Sequence, residues 1–393
     1  MKIFVMNLGT TSFKFKLFEM DGGEQVLASG ELECVGSRSS HYEIALATGQ
    51  TRQGDAPVAD HGKAFGLCFG VLRELGALRD MADLDAVGYK AVHGGSLSGT
   101  RLVDEQLMAE MERVTPLAPA HNPIYLNAMR SIAREYPELK QVARFETSFH
   151  ATIPEKRVVY GVPYEWKQDW GIRRYGFHGS SHQYIAQTMA GLEPEARKIV
   201  SCHLGGSSSI CAIENGQSVA TSMGATLQSG LFNNNRVGDF EVFCLPMLLP
   251  HYDNDLNKLL GVLSRESGLL GLSGVSNDLR PVQEAMEQGN ARAKLAVETL
   301  ADNILGFVGM YAAYMNGLDG LVFTGGIGLG SAVVRRLVCE KLGYLGVQLD
   351  EKANEGRGDG CISTEGSRVK VWRLKTNEEL VVARCVEEML NAE

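Results

Sequence analysis

The same short device heads each half of this 393-residue chain, and it restricts the fold more than any other feature. Near the start, Asn7-Leu8-Gly9-Thr10-Thr11-Ser12 follows the apolar residues 3–6. Halfway along, His203-Leu204-Gly205-Gly206-Ser207-Ser208 follows the apolar residues 199–202. Each copy leads into a second β-prone stretch and then to a turn dipeptide, Asp21-Gly22 or Asn215-Gly216. Strand, glycine-and-hydroxyl turn, strand and tight turn make a β-hairpin unit. Glycine allows close approach to the backbone, and hydroxyls beside exposed N–H groups can cradle a phosphate. One copy reads as an ordinary hairpin. Two copies heading two halves point to duplicated domains facing one ligand between them.

The rest of the pattern fits an α/β chain. Residues 2–50 read as strands, and the alternation in Phe13-Lys14-Phe15-Lys16-Leu17-Phe18 puts the lysines on one face and the aromatics on the other. Helical spacing follows over 63–78, then a strand over 86–92 that ends at His93-Gly94-Gly95. Residues 118–169 hold Pro119, Pro123, Pro154 and Pro163 and are expected to be loop-rich. Strands resume at 198–202, 208–214 and 218–223, before a long helix with an apolar stripe over 290–315. A short buried strand at 321–323 runs into the glycine loop 325–328, and a strand at 369–374 precedes a final helix from about Asn377. Thr376 and Glu379 read as a capping box for that helix, leaving Glu378 without a local role. The expected domains are 1–148, joined by the C-terminal helix 377–393, and 149–376.

Composition narrows the function classes. Lys plus Arg is 38 against 47 for Asp plus Glu, a net charge of −9 with no long basic run, so a nucleic-acid partner is not expected. The eight cysteines are scattered without a C-x-x-C pair, which fits buried free thiols better than zinc or disulfides. The first residues show no charged stretch followed by a long apolar one, and no run reaches membrane-spanning length. The expectation is a cytoplasmic protein with no membrane partner.

Several further motifs carry a resemblance. AVHGG (91–95), APAHNP (118–123), FETSFH (145–150), RRYGFHGSSH (173–182), HLGGSSS (203–209), NRVGD (235–239), FTGGIG (323–328) and TNEEL (376–380) resemble the acetate kinase family in order and spacing, along nearly the whole chain. With the duplicated hairpins, they also resemble the wider superfamily of acetate and sugar kinases, actin and heat-shock ATPases. The resemblance implies two actin-like ATPase (ribonuclease H-like) domains with a ligand cleft between them. It implies reversible phosphoryl transfer between ATP and a short-chain carboxylate, giving an acyl phosphate and ADP. It also implies a homodimer formed through the second domain.

Roles follow by motif. His178 matches the histidine that contacts the transferring phosphoryl group, and His121 one near the acyl substrate. Arg236 is suited to clamp phosphoryl or carboxylate, because guanidinium pairs bidentately with both. Lys90 and Glu146 stand at the family's arginine and aspartate. Val92, Ala120, Phe177 and Leu227 fall at the acyl pocket. Ser12, Lys14, His203, Gly205, Gly206, Ser207, Asp278, Arg280, Gly325, Gly326 and Gly328 fall at phosphate and nucleotide positions. Asn7 and Glu378 fall at the positions that hold magnesium, a hard cation suited to oxygen ligands.

The chain also departs from the family. Lys90 keeps the charge but loses the bidentate fork, and Glu146 is one methylene longer. Gly206 and Ser207 replace Asn and Gly, Leu227 replaces a proline, and Leu329-Gly330 replaces Glu-Asn. Ala120 replaces a leucine, which makes room for a larger acid. Three readings follow: a magnesium-dependent carboxylate kinase, the same fold with another acid or a donor such as pyrophosphate, or a nucleotide-binding regulatory relative whose chemistry has lapsed.

Overall fold

The structure, a computed structural model, describes residues 1–392. The chain forms two compact units, one of residues 1–149 with 377–393 and one of residues 150–376.

The first unit is built on an eight-stranded sheet. Its strands are β1 (Lys2–Leu8), β2 (Ser12–Glu19), β3 (Gln25–Glu33), β4 (Ser40–Leu46), β5 (Thr51–Ala56), β6 (Ala86–Ala91), β7 (Thr100–Leu102) and β8 (Gln141–Phe145). They lie in the order β5-β4-β3-β2-β1-β6-β8-β7, with β1 antiparallel to β2 and parallel to β6. The alternation read in β2 is real: Phe13, Phe15 and Leu17 are buried, Lys14 is exposed and Lys16 half-buried. Phe4 stacks on Phe15 with centroids 4.6 Å apart and meets Phe65 of helix His61–Glu74 edge-on. That face is the apolar core.

The opposite face is covered by the terminal helix, Glu378–Asn391. A Cβ on Gly88 of β6 would lie 3.1 Å from Val382 and 3.2 Å from Val386, so the helix sits as close as a glycine permits. Lys90 lies two residues along the same face of the strand, and Glu378 one helical turn before Val382. The close packing therefore brings the head of the helix over Lys90.

The second unit repeats the central topology. Its strands are β9 (Lys198–His203), β10 (Ser209–Glu214), β11 (Gln217–Thr221), β12 (Gly320–Thr324), β13 (Gly360–Cys361) and β14 (Lys370–Arg373). Their order is β11-β10-β9-β12-β14-β13, again with an antiparallel hairpin on one side of the first strand and a parallel neighbour on the other. Helix Ala291–Tyr314 buries Val297, Leu300, Ile304 and Val308 in a core with Val200, Cys202, Ile210 and Ala212 on one face. Helix Gly179–Leu192 packs against β9.

Three expectations need correction. Residues 118–169 are not mostly loop, because helix Asn122–Glu135 and β8 lie inside them. Pro123 stands in the first turn of that helix, where a missing N–H costs nothing. Residues Gly325–Gly330 form one short helix instead of an open loop. All eight cysteines are free, but Cys34 and Cys361 are exposed and Cys244 is only partly covered. No helix of the described residues is long and apolar enough to cross a membrane.

Candidate active site

In the first unit, charged side chains gather under the head of the terminal helix. Cross-strand pairing of Asn7 with Lys14 and of Val5 with Lys16 puts all four on one sheet face. Lys16 Nζ reaches the Glu379 carboxylate at 3.2 Å and donates to Asn377 Oδ1 at 2.9 Å. Asn7 Nδ2 donates to Glu379 Oε1 at 3.4 Å, which leaves the amide oxygen for another ligand. Lys90 pairs with Glu378 in a tight contact where both side chains are nearly buried. Burial alone would lower the Lys90 pKa, but the Glu378 and Glu146 carboxylates reverse this and hold its ammonium well above the usual value. Burial likewise raises the neighbouring Tyr125 phenol to about 12.

The capping box is not formed. Asn377 is the N-cap residue without a side-chain cap, and Thr376 Oγ1 is buried with no hydrogen-bond partner among the described residues. Glu379 turns to Lys16 and Asn7 instead, and Glu378 has a duty, namely Lys90. Ion pairing across the sheet outweighed a local cap that is worth about 1 kcal/mol.

Two further residues of this unit frame the turns. His61 Nε2 lies 2.9 Å from the Gly9 carbonyl and 3.2 Å from the Ser12 carbonyl, so it carries the proton and ties the hydroxyl turn together. Buried Asn122 donates to the carbonyls of His93 and Met111 at 2.9 Å, fixing the AVHGG turn beside His121, the N-cap of its helix. Val92 is buried and Ala120 exposed. Lys14 extends into solvent and pairs with Glu31 at 2.9 Å. The sequence offered no direct signal for His61, whose partners are backbone atoms far along the chain, and Asn122 stood in the APAHNP motif without a role read for it.

The second unit builds its site around histidines and serines. His178 begins helix Gly179–Leu192 in the left-handed region, with φ 57°. For a non-glycine residue that conformation costs on the order of 1–2 kcal/mol. The ring is fixed by Ser209 Oγ, 2.8 Å from Nδ1, and by stacking on His203 with centroids 4.3 Å apart. His203 Nδ1 in turn meets Ser181 Oγ at 2.8 Å. Below lie His182, bonded to Ser201 and Ser209, and His150, whose Nε2 donates to the Phe177 carbonyl at 2.9 Å. Burial lowers the His150 pKa to about 4 and holds His182 well below its usual value, so both rings are neutral.

Arg236 differs from the other cations. Its guanidinium donates to the Leu227 carbonyl at 2.8 Å, burial lowers its pKa, and no carboxylate among the described residues pairs with it. The turn that carries it is held from behind: Ser267, Leu269 and Leu270 N–H groups donate to the carbonyls of Asn235, Asn233 and Asn234. Gly268, at φ 61°, lies so close to Asn233 and Arg236 backbone that no side chain fits.

Gly205, Gly206, Asp278, Arg280 and Gly326 line one cavity of about 390 Å³ together with Asn234 and Gln283. That volume is within the range of small-molecule pockets. Asp278 caps helix Leu279–Glu287 and is paired with Arg280. Gly325 and Gly328 face the protein instead: a Cβ on Gly325 would meet the Leu204 carbonyl at 2.5 Å, and one on Gly328 would crowd Phe323. Ser207 Oγ is buried without a hydrogen-bond partner among the described residues. Phe177 is buried and Leu227 half-buried.

Residues 2–384 match the model of the Acetokinase family. This chain belongs to that family. It is 41% identical over 391 residues to the acetate kinase of Halothermothrix orenii, covering 98% of each. It is 42% identical over 397 residues to the propionate kinase of Citrobacter rodentium, covering 100% of this chain and 98% of the relative. The crystal structure of Porphyromonas gingivalis acetate kinase superposes with a TM-score of 0.90 at 36% identity, covering 99% of each chain. The fold is therefore the actin-like ATPase fold, and the acetokinase-family chain is a carboxylate kinase, a phosphotransferase that uses ATP.

The first unit carries oxygen donors of the kind that suit magnesium. Asn7 stands beside the Glu379 carboxylate, and Glu378, next to it at the head of the helix, is paired with Lys90; all three carry hard oxygen donors. No group of three or more His, Cys, Asp or Glu side chains among the described residues could hold a metal by itself. Magnesium bound through one or two carboxylates, completing its shell with waters and phosphates, matches that donor set.

Proposed function

We propose that this kinase phosphorylates short carboxylic acids reversibly and accepts acids larger than acetate. The observation that carries the reading is Arg236, a half-buried guanidinium whose one hydrogen bond among the described residues goes to a backbone carbonyl. A guanidinium held that way is ready for an anionic group, either the carboxylate or the moving phosphoryl.

The chemistry asks for donors and cations more than for a base. A carboxylic acid is already ionised near neutral pH, so its oxygen attacks the γ-phosphorus without losing a proton. The bond to the ADP oxygen breaks as the acyl–phosphate bond forms, and charge stays on the phosphoryl oxygens throughout. His178 would donate a hydrogen bond to those oxygens, and Arg236 would supply positive charge. His121, Lys90 and Glu146 would orient the acid and its cation partner. The cavity of Gly205, Gly206, Asp278, Arg280 and Gly326 would receive the nucleotide, and Ser12, Lys14, His203 and Ser207 would serve its phosphates. Asn7 and Glu378 would hold magnesium, which neutralises phosphate charge when bound.

Ala120, where the family carries leucine, supports a roomier acyl site beside Val92, and Phe177 and Leu227 are its remaining candidates. The relatives named acetate and propionate kinase are equally similar to this chain, so identity does not choose between the acids. A second copy of the chain is the proposed partner: Val242, Phe243, Met247, Leu256 and Leu260 leave an apolar surface exposed on the second unit. Eight free cysteines support a reducing cytoplasm. Pyrophosphate as donor, or a lapsed regulatory role, is the less favoured reading.

The test is acyl hydroxamate formation with acetate, propionate and butyrate, each with ATP and with pyrophosphate. Propionate is expected to rival acetate, and Ala120→Leu to move the preference toward acetate by about tenfold or more. A strict acetate preference unaffected by Ala120→Leu would refute the pocket assignment.

A further inference from the structure

We propose that Ser201, His182 and Ser209 form a one-directional string of hydrogen bonds that fixes the ring proton of His178 on Nε2. The proposal rests on the reading above, in which His178 donates to the phosphoryl group. It makes Ser209 and His182 positioning residues for that donation.

The string is continuous and buried. Cross-strand pairs Ser209–His203 and Cys211–Ser201 put both serine hydroxyls on one face of β9 and β10. Helix Gly179–Leu192 lies over that face and carries His182 one turn after His178. Ser201 Oγ is 2.9 Å from His182 Nδ1, His182 Nε2 is 2.8 Å from Ser209 Oγ, and Ser209 Oγ is 2.8 Å from His178 Nδ1. Ser201, His182 and Ser209 are all fully buried.

Proton counting sets the direction. Ser201 Oγ has one hydrogen-bond partner among the described residues, His182 Nδ1. Its hydroxyl proton must therefore go to that nitrogen, because the reverse polarity would bury an O–H with no acceptor. His182 is held neutral, chiefly by burial and also by the neighbouring His150 and His203 rings, so its single proton sits on Nε2 and is donated to Ser209. Ser209, already an acceptor, gives its own proton to His178 Nδ1. The His178 ring then carries its proton on Nε2. A proton on Nδ1 would instead make Ser209 accept twice and leave its hydroxyl proton unused. It would also turn a lone pair, not a donor, toward an anion.

The consequence is a donor that is present before substrate arrives. Where a histidine shuttles a proton, losing the group that sets its tautomer costs up to about 10⁴ in turnover. Here the ring only donates, so the expected loss is smaller, about 10- to 100-fold, as for other partners that orient a functional histidine.

The experiment is NMR of selectively ¹⁵N-histidine-labelled enzyme, with His178 assigned by the signal lost in His178→Asn. Wild type is expected to show His178 protonated on Nε2 and unprotonated on Nδ1. Ser209→Ala should turn this into a tautomer mixture and lower kcat about 10- to 100-fold with the KM for the acid little changed. Ser209→Thr, which keeps the hydroxyl, should restore the single tautomer. Ser201→Ala acts two hydrogen bonds away and should also produce a mixture, which a purely structural role would not. A proton on Nδ1 in wild type, or an unchanged tautomer in the folded Ser201→Ala and Ser209→Ala proteins, would overturn the proposal. A tautomer shift with unchanged kcat would support the wiring and overturn the role given to His178.

Discussion

The two hairpins that head the two units share a topology and differ in electrostatics. Asn7 pairs across its hairpin with Lys14, and His203 pairs across the other with Ser209. The turn between them is one residue shorter in the second copy, so Ser209, not Ile210, takes the place of Lys14. On the first unit's face stand Lys14, Lys16 and Lys90, each matched to a glutamate. On the second unit's face stand Ser201, Ser209, His203 and, from the covering helix, His182. One copy balances charges, and the other ties histidine rings to serine hydroxyls. The difference teaches that the sheet supplies positions while the covering helix decides which chemistry is affordable there. An acid-headed helix meets lysines, and a serine- and histidine-bearing helix meets serines.

The comparison breaks most readily at the unmatched cation. Arg236→Ala should lower kcat/KM by about 10³-fold or more while leaving the melting temperature nearly unchanged, because no carboxylate is left behind. Steady-state kinetics and thermal melts on the same preparation check both halves. The matched cations should behave in the opposite way. Glu378→Ala leaves Lys90 buried beside Glu146 alone and should cost about 3 kcal/mol or more in denaturant unfolding. Replacing the pair together, Lys90→Met with Glu378→Met, should recover most of that stability while activity stays lost.

A third expectation concerns acid. Burial lowers His150 from 6.5 to about 4, so the folded unit keeps it neutral while the unfolded chain takes up a proton below about pH 6.5. Stability from this ring is complete above pH 6.5 and is lost as pH falls toward 4. A shift of that size corresponds to about 3 kcal/mol at the acid end, and to less at intermediate pH. His150→Gln should flatten this part of the pH dependence in denaturation curves. A further effect is expected behind the Arg236 turn. Gly268→Ala adds a side chain at φ 61° against the Asn233–Arg236 backbone. It should destabilise the protein by more than the about 1–2 kcal/mol that the left-handed backbone alone costs, and lower kcat more than it raises the KM for ATP.

Much of this was legible in the sequence, and the reasons are local. The duplicated hairpins and the alternation of β2 are patterns of a few residues, and folding honours them because burial of Phe13 and Phe15 agrees with strand pairing. The family motifs located His178, Arg236, Asn7 and Glu378 as candidates, and chain-wide similarity then established the family. What escaped reading depends on distant partners. Glu379 looked like half of a capping box, yet Lys16, 363 positions earlier, claims it. His182 closes the motif RRYGFHGSSH and Ser209 the motif HLGGSSS, and Ser201 stands two residues before His203, yet their roles were not read from those positions. Only the pairing of β9 with β10 shows that these meet. Pro123 misled because a proline marks a helix start as readily as a loop.

The central claim is that this chain makes an acyl phosphate and that the unmatched Arg236 guanidinium of the second unit is needed for it. It is tested most directly by hydroxylamine trapping with ATP, magnesium and propionate, run on wild type beside Arg236→Ala. Hydroxamate accumulating in wild type and falling to near background in a folded Arg236→Ala protein is the predicted result. No hydroxamate from folded wild type with propionate or acetate, or equal hydroxamate from both proteins, would contradict it.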